Sequence, residues 1–471
     1  MAAASMLLRA ASALVLAASL AACAHKPPGL MATDTPSAWS GTPAQPAPAE
    51  PQLPASDPYW WDGFRSAELS KLLAEAQTNG FDTKQAALRV IEAEAQATSA
   101  GSNLWPSVDF GASGRRSGGF SPAPRSSSLS ASLGLGYEVD LWGRLRADNR
   151  AALAGLAATR FDRDTVAIDL SSGVANAYFQ TLNLRDRLRT ARGDLDIAEQ
   201  VLKIVEARAK AGSVPPLDLA QQQATVARQR AAIAPLEQQE KATHQSLALL
   251  LGRQPIGFDI QGATLGDIEV PAVAADLPSN LLARRPDIAG AEARLAASSA
   301  NLDATRAQFL PSLSLTGSAG LASNALKTLV DPVNAAWSLG ASLGQTIFDA
   351  GARQANVKAA NTREAEALLA YRQAALTAFS EADLALSDIA ALASQRADRE
   401  IEISAAREAY RIAQVRYREG AEDLQALLQA QSALFSVEDS LSQIKLQQVQ
   451  GAGTFYRALG GWARAQVVSA E

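Results

Sequence analysis

The sequence changes from a strand pattern to a helix pattern within residues 129–143, LSASLGLGYEVDLWG. From Leu129 to Tyr137, apolar side chains alternate with Ser and Gly, which is the period-two pattern of a β-strand with one apolar and one polar face. After Gly143 no proline occurs before Pro215, and the residues between them are rich in Ala, Leu, Arg and Glu. This composition predicts one very long helix. The chain is therefore expected to be mainly α-helical, with a small sheet.

The same plan occurs twice in the chain. Pro106 opens the first alternating stretch and Pro311 opens the second, while Gly212 and Gly420 each follow a long helical segment. Equivalent positions stay about 205 to 210 residues apart, which indicates an internal two-fold repeat and excludes a solenoid of short repeats. We place repeat 1 at 60–279, with strands at 106–116 and 128–139 and helices at 143–211 and 217–251, and repeat 2 at 280–471, with strands at 311–321 and 336–347 and helices at 350–419 and 424–459.

The predicted strands have the length and the alternation of transmembrane strands. About ten residues are enough for a tilted strand to cross a bilayer. The same alternation also fits a half-buried antiparallel sheet in a soluble domain. If the strands are in a membrane, four of them cannot close a barrel, and an open edge would leave backbone groups without hydrogen-bond partners in lipid. Because about eight strands is the smallest common barrel, at least two chains would have to share one.

The amino-terminal segment predicts export and lipid attachment. Residues 1–22 carry Arg9 and a short apolar run, and Leu20-Ala21-Ala22 stands directly before Cys23. This is the pattern of a secretory signal peptide that ends in a lipobox, so we expect Cys23 to be acylated after cleavage. In the alternative, Cys23 is incidental to an ordinary signal peptide. Residues 23–59 are rich in proline and are expected to form an extended arm.

The composition excludes several classes of protein. The chain has 43 Lys and Arg against 48 Asp and Glu, so a basic nucleic-acid-binding domain is not expected. One Cys and two His exclude a disulfide framework and a Cys/His metal cluster, and they leave room for at most a single chance Cys–His pair. His244 has no second ligand nearby in sequence, so we interpret it as a structural or exposed histidine. We expect no catalytic residues, no metal site and no cofactor other than the lipid on Cys23.

Five sequence motifs, taken together and in order, resemble the TolC-like outer membrane factors, specifically the lipidated OprM/NodT branch. The motifs are 250–255 LLGRQP, 281–288 LLARRPDI, 307–312 AQFLPS, 347–351 IFDAG and 456–462 YRALGGW. The resemblance covers essentially the whole mature chain. It implies a homotrimer in which four strands per chain form a twelve-stranded β-barrel, continuous with a twelve-helix periplasmic α-barrel. It also implies a mixed equatorial segment at 252–279.

The resemblance further implies a function and partners. The chain would be the outer membrane channel of a tripartite efflux system, a passive conduit rather than an enzyme. Drugs and other toxic small molecules would reach it from a resistance-nodulation-division transporter of the inner membrane and a periplasmic adaptor protein. The chain would be anchored in outer membrane lipid, with its helices in the periplasm. Two alternatives remain open: a type I secretion conduit for polypeptides, and a structural lipoprotein that only spans the periplasm.

The resemblance also places the channel aperture at the two helical turns near Gly212 and Gly420. The implied aperture residues are Gly212, Val214, Asp218, Tyr417, Gly420, Glu422 and Asp423. Glu422 stands where the resemblance implies an arginine linked to gating, so an arginine-based lock is not expected. Three copies of the acidic side chains could form a ring that favours cations. Alternatively, these carboxylates cap or stabilise helix starts.

The charged cluster of Arg284, Arg285 and Asp287 in the second motif has two interpretations. Charged residues on both sides of Pro286 are typical of a structural helix start. Contact with an anion or with peptidoglycan is the alternative.

Overall fold

The computed structural model describes residues 39, 60–118, 126–271, 281–282 and 284–461. The predicted signal peptide, Cys23 and most of the predicted arm lie outside this described part. Repeat 1 contains helices α1 (Ala67–Asn79), α2 (Phe81–Ser102), α3 (Arg144–Lys210) and α4 (Pro216–Leu250) and strands β1 (Ser107–Ser117) and β2 (Ser126–Val139). Repeat 2 contains α5 (Pro286–Ala307), β3 (Ser312–Ser323), β4 (Ala335–Gly344), α6 (Ala352–Glu419) and α7 (Leu424–Ala458).

The element order shows the duplication predicted from sequence. In each repeat a helix leads into a β-hairpin, then into a helix of 67 or 68 residues, and then into a helix of 35 residues. No helix in the described part of the chain is both long and apolar enough to cross a membrane. The described residues 252–271 are mostly irregular, with one short 3-10 turn at Leu265–Asp267.

The four strands form one antiparallel sheet in the order β1-β2-β3-β4. The register is continuous: Ser107 lies opposite Gly136, Leu129 opposite Ser323, and Ser312 opposite Gly344. Strands β1 and β4 are the two edges, and neither has a second strand partner within the described chain. A row of unpaired backbone groups on each edge is available for pairing with another chain.

The predicted end of β4 at residue 347 is wrong by three residues, because the strand ends at Gly344. The segment that follows is held by side-chain hydrogen bonds in place of a neighbouring strand. The Gln345 amide donates to the Phe309 carbonyl at 3.4 Å, and the Arg353 guanidinium donates to the Thr346 carbonyl. The chain is therefore turned toward α6 before the predicted strand end.

The chain divides into two compact units. The first contains, among the described residues, 89–118, 126–160 and 289–373, and so holds the sheet and the adjoining helix ends. The second contains residue 39, 60–88, 161–271, 281–282, 284–288 and 374–461. An apolar core of this unit surrounds Phe64 and Phe179, whose rings lie 5.0 Å apart, and Trp60 stacks on Tyr456 at 5.6 Å. Trp39, the one described residue of the predicted arm, is buried against Phe379.

Candidate functional site

The two turns predicted as the aperture have the same backbone structure. Gly212 and Gly420 adopt φ values of 70° and 76°. In the first turn, Gly212 N–H donates to the Ala209 carbonyl at 3.0 Å and Ser213 N–H donates to the Arg208 carbonyl at 2.9 Å. This pair of bonds is a Schellman motif, in which a left-handed glycine closes a helix. In the second turn, Gly420 N–H donates to the Tyr417 carbonyl at 3.1 Å and Ala421 N–H donates to the Arg416 carbonyl at 2.9 Å.

The carboxylates after the two turns have different surroundings. Asp423 is the N-cap of α7, and its side chain accepts a hydrogen bond from Ala426 N–H at 2.9 Å. Asp423 therefore caps a helix, as the second of the two interpretations of these carboxylates predicted. Helix α4 instead begins after Pro215 without a side-chain cap, and the half-buried Asp218 stands in its first turn. Val214, also half-buried, precedes the two prolines.

Arginine side chains contact the second turn and offset part of its negative charge. Arg416 pairs with Glu422 at 3.4 Å. Arg208 donates to the Arg418 carbonyl at 2.7 Å, and its guanidinium carbon lies 4.6 Å from the centre of the Tyr417 ring. This cation–π contact joins the end of α3 to the end of α6. Tyr417 is 2% exposed, and burial raises the pKa of its hydroxyl.

An apolar cluster supports these turns. Tyr417 packs with Val201 and Val205 of α3 and with Leu424 and Leu427 of α7. All five side chains are almost fully buried. The turns are therefore fixed to a packed coil, and a change in the packing of α3, α6 and α7 would move them.

Known proteins share this architecture. The family model described as outer membrane efflux protein matches residues 72–253 and 277–461, which correspond to the two repeats. The chain belongs to the outer membrane efflux protein family. The pyoverdine export outer membrane protein OpmQ of Pseudomonas putida is 38% identical over 459 residues, covering 95% of this chain and 96% of that protein. OpmQ of Pseudomonas aeruginosa is 40% identical over 413 residues, covering 85% and 87%.

The structure of the outer membrane channel OprN is similar to that of this chain. Its TM-score is 0.83 at 27% sequence identity, and the match covers 93% of this chain and 98% of that one. The mainly helical fold with a four-stranded antiparallel sheet, predicted from the sequence, is confirmed. The chain is an outer membrane channel component of an efflux system, as the sequence analysis predicted.

Arg285 of this efflux protein holds helix ends together. Its side chain is 8% exposed and binds Asp287 at 2.7 and 3.0 Å, Glu381 at 2.8 Å and the Ala458 carbonyl at 3.0 Å. Burial tends to raise the pKa of Asp287, and the hydrogen bonds and charge of Arg285 outweigh that effect and lower it. The guanidinium thus ties the start of α5 to α6 and to the end of α7. This arrangement favours the structural interpretation over contact with an external anion.

His244 also has a packing role. Its ring stacks on Phe258 at 4.8 Å, and its Nε2 atom lies 3.6 Å from an Asp259 carboxylate oxygen. Among the described residues, no group of three His, Cys, Asp or Glu side chains is placed to hold a metal ion.

A polar seam between α3 and α7 was missed by the sequence analysis. We define it by Asn183, Arg187 and Asp194 of α3 and Asp439 and Ser442 of α7. The Asn183 amide donates to the Ser442 carbonyl at 2.7 Å and to its hydroxyl at 2.9 Å, and Arg187 binds Asp439 at 2.7 Å. Buried polar residues at core positions of a coil set the register and weaken the packing. The sequence carried one signal of this seam, because Asn183, Arg187 and Asp194 recur at helical spacing within a stripe of Ala and Leu.

Asp194 is the carboxylate of the seam that has no cationic partner among the residues described by the structure. It is 7% exposed, and it forms no ion pair with any residue that the structure describes. Nearby Arg187 and Arg407 bind Asp439 and Glu438. Burial, followed by the negative charges of Glu438 and Asp439, raises the pKa of Asp194 to about 7.

Proposed function

We propose that three copies of this chain form a passive outer membrane conduit whose barrel wall is built from the four strands of each copy. The chain is the outer membrane channel component of an efflux system, as its family membership indicates. The observation that supports a barrel shared between chains is the sheet itself, and the number three is the one that the resemblance implies. It has two unpaired edges and one apolar face with exposed Phe110, Leu133 and Leu339.

The geometry of the edges supports barrel closure between chains. Because β1 and β4 run in opposite directions in the β1-β2-β3-β4 order, β1 of one copy can pair with β4 of the next as an antiparallel neighbour. Closure satisfies the edge backbone groups, which lipid cannot do. Trp337 and Leu339 of β4 are 76% and 77% exposed in the single chain. In a barrel they would face lipid.

The remaining partners are proposed from the membership of the chain in the outer membrane efflux protein family. The turns at Gly212 and Gly420 would form the aperture and meet a periplasmic adaptor, and through it an inner-membrane transporter. Opening would be a shift between closed and open packings of α3, α6 and α7, driven by the adaptor's higher affinity for the open one. A lipid on Cys23, whose position lies outside the described residues, would anchor the trimer. Replacing Cys23 with Ser should then abolish labelling by radioactive palmitate.

For the cargo, we propose a compound similar to pyoverdine. The support is that both reported relatives are named for pyoverdine export, and that one of them matches 95% of this chain. A strain deleted for its pyoverdine outer membrane exporter supplies the test. Expression of this chain should restore pyoverdine in the medium. Retention of pyoverdine by cells that carry the chain in their outer membrane would contradict the cargo proposal.

Cysteine cross-linking tests the shared barrel. A cysteine in place of Ala112 on β1 would be combined with one in place of Leu339 or Ala341 on β4, followed by a membrane-permeable oxidant. We expect cross-linked dimers and trimers on a non-reducing gel for at least one pair. The matched control combines Leu133→Cys of the interior strand β2 with the same β4 variants and should give none. Absence of cross-linked species from every edge pair would contradict closure between chains.

A further inference from the structure

The two faces of the sheet differ sharply in chemistry. On one face, hydroxyl groups pair across strands: Ser113 with Ser130 at 2.9 Å, and Ser318 with Ser338 at 2.8 Å. The other face carries Val108, Phe110 and their apolar neighbours. In a membrane barrel the apolar face meets lipid and the polar face lines the lumen.

Only three charged side chains stand on the polar face of the strands, namely Asp109, Arg115 and Glu138. The register of β1 and β2 has no bulge, so Asp109 and Arg115 share the face of Ser113, and Glu138 shares the face of Ser130. Glu138 is neutralised by Arg144, which binds both carboxylate oxygens at 2.8 Å. Asp109 and Arg115 remain exposed and form no ion pair with another described residue.

The two remaining charges lie at opposite ends of β1. Asp109 is near the end that follows α2, and Arg115 is near the end that enters the loop between β1 and β2. Six residues of strand separate them by about 20 Å. Since the Debye length is about 8 Å at physiological ionic strength, Asp109 does not cancel the charge of Arg115. Opposite Arg115 stands Ser128, which is uncharged.

We propose that Arg115 is a specificity-determining residue that makes the loop end of the lumen a cationic ring selective for anionic groups. The inference rests on the proposed trimer, in which three copies of Arg115 would face one another across a water-filled lumen. Low-dielectric walls strengthen the field of such a ring. The wall around it consists mainly of Ser, Gly and Ala. The favoured cargo therefore carries carboxylate or similar anionic groups, and cationic cargo is opposed at this end.

The chain provides a matched control at the next position. Arg116 has the same charge and lies on the opposite, apolar face of β1, so its side chain would be at the lipid surface. Removal of Arg115 should change the potential in the lumen, whereas removal of Arg116 should not. Both changes remove one positive charge from the same strand end, so a general effect of net charge would appear in both variants.

Thiol modification measures the local potential directly, whatever the state of the aperture. A cysteine at Ser113, on the same face as Arg115, would be treated in proteoliposomes with anionic and with cationic methanethiosulfonate reagents. We expect the anionic-to-cationic rate ratio to fall by about fivefold or more in Arg115→Ser, since lumen potentials reach several kT. The ratio should stay unchanged in Arg116→Ser. The fall should shrink in high salt.

Two other outcomes separate this inference from the proposed function. If the cysteine at position 113 reacts but the rate ratio is the same with and without Arg115, the ring has no role and only this inference is overturned. A cysteine in place of Ala112 reports on the other face. If that cysteine reacts with the water-soluble reagents and the one at position 113 does not, the polar face does not line a lumen, and the shared barrel is overturned as well.

Discussion

Replacing Asp194 with asparagine should stabilise the helices against unfolding at pH 8 and have little effect at pH 4. The side chain is 7% exposed, has no cationic partner in the described chain, and faces the charges of Glu438 and Asp439. Asparagine has nearly the same shape as the protonated aspartic acid and lacks its charge. It therefore mimics the form that the folded protein prefers.

The pKa gives the size and the sign of the effect. Burial, with the charges of Glu438 and Asp439, raises the pKa of Asp194 from 3.8 to about 7 in the folded chain. Between these values the folded state holds a proton that the unfolded state has lost, so stability falls as the pH rises through this range. About three units at about 1.4 kcal/mol each give at most about 4 kcal/mol per chain, fully developed above pH 7 and absent below pH 4.

The assay is thermal unfolding in detergent, followed by circular dichroism at pH 4 to 8 and at one protein concentration. We expect the Tm of the wild type to decline toward pH 8 and that of Asp194→Asn to decline less. Asp196→Asn, an exposed position on the same helix, is the control and should follow the wild type. If Asp194→Asn and the wild type have parallel Tm profiles, the seam carboxylate is not protonated in the folded chain and the reasoning is refuted.

Three further predictions concern stability and can be checked by denaturant unfolding. Replacing Gly212 or Gly420 with Ala should cost about 1 kcal/mol each, because an alanine resists their left-handed φ; Gly193→Ala, within α3, should instead stabilise by about 0.5 to 1 kcal/mol. Arg285→Met should cost about 3 to 5 kcal/mol, because it leaves two acidic partners without their buried cation; an unchanged midpoint would contradict that. Asp423→Ala should lower the free energy of unfolding by about 1 kcal/mol, because the cap of α7 is lost, and Asp218→Ala should lower it less, because Asp218 caps no helix. An equal loss in the two variants would contradict this difference.

Local pattern was enough to predict the strands and the long helices. The alternation from Leu129 to Tyr137 specified both the strand and its polar face, because side-chain direction in a strand depends only on sequence parity. The two turn glycines were also visible, because a long helix that ends in Gly has one favoured termination. These features depend on neighbours within a few residues.

Pairings across the chain could not be predicted in the same way. Glu381 binds Arg285 from 96 residues away, and Arg208 contacts Tyr417 from a different helix. Nothing in the local sequence distinguishes Glu381 from the other acidic residues of α6. The buried position of Asp194 likewise follows from how α3 and α7 pack, and a single Asp in a long helix is ordinarily expected to be exposed.

Single-channel recording in planar bilayers, combined with the mass of the purified protein in detergent, tests the shared barrel most directly. The account predicts particles of three chains that conduct ions, with a conductance that rises when the turns at Gly212 and Gly420 are loosened by substitution. A monomer without conductance would contradict it, because four strands with two open edges cannot form a pore alone.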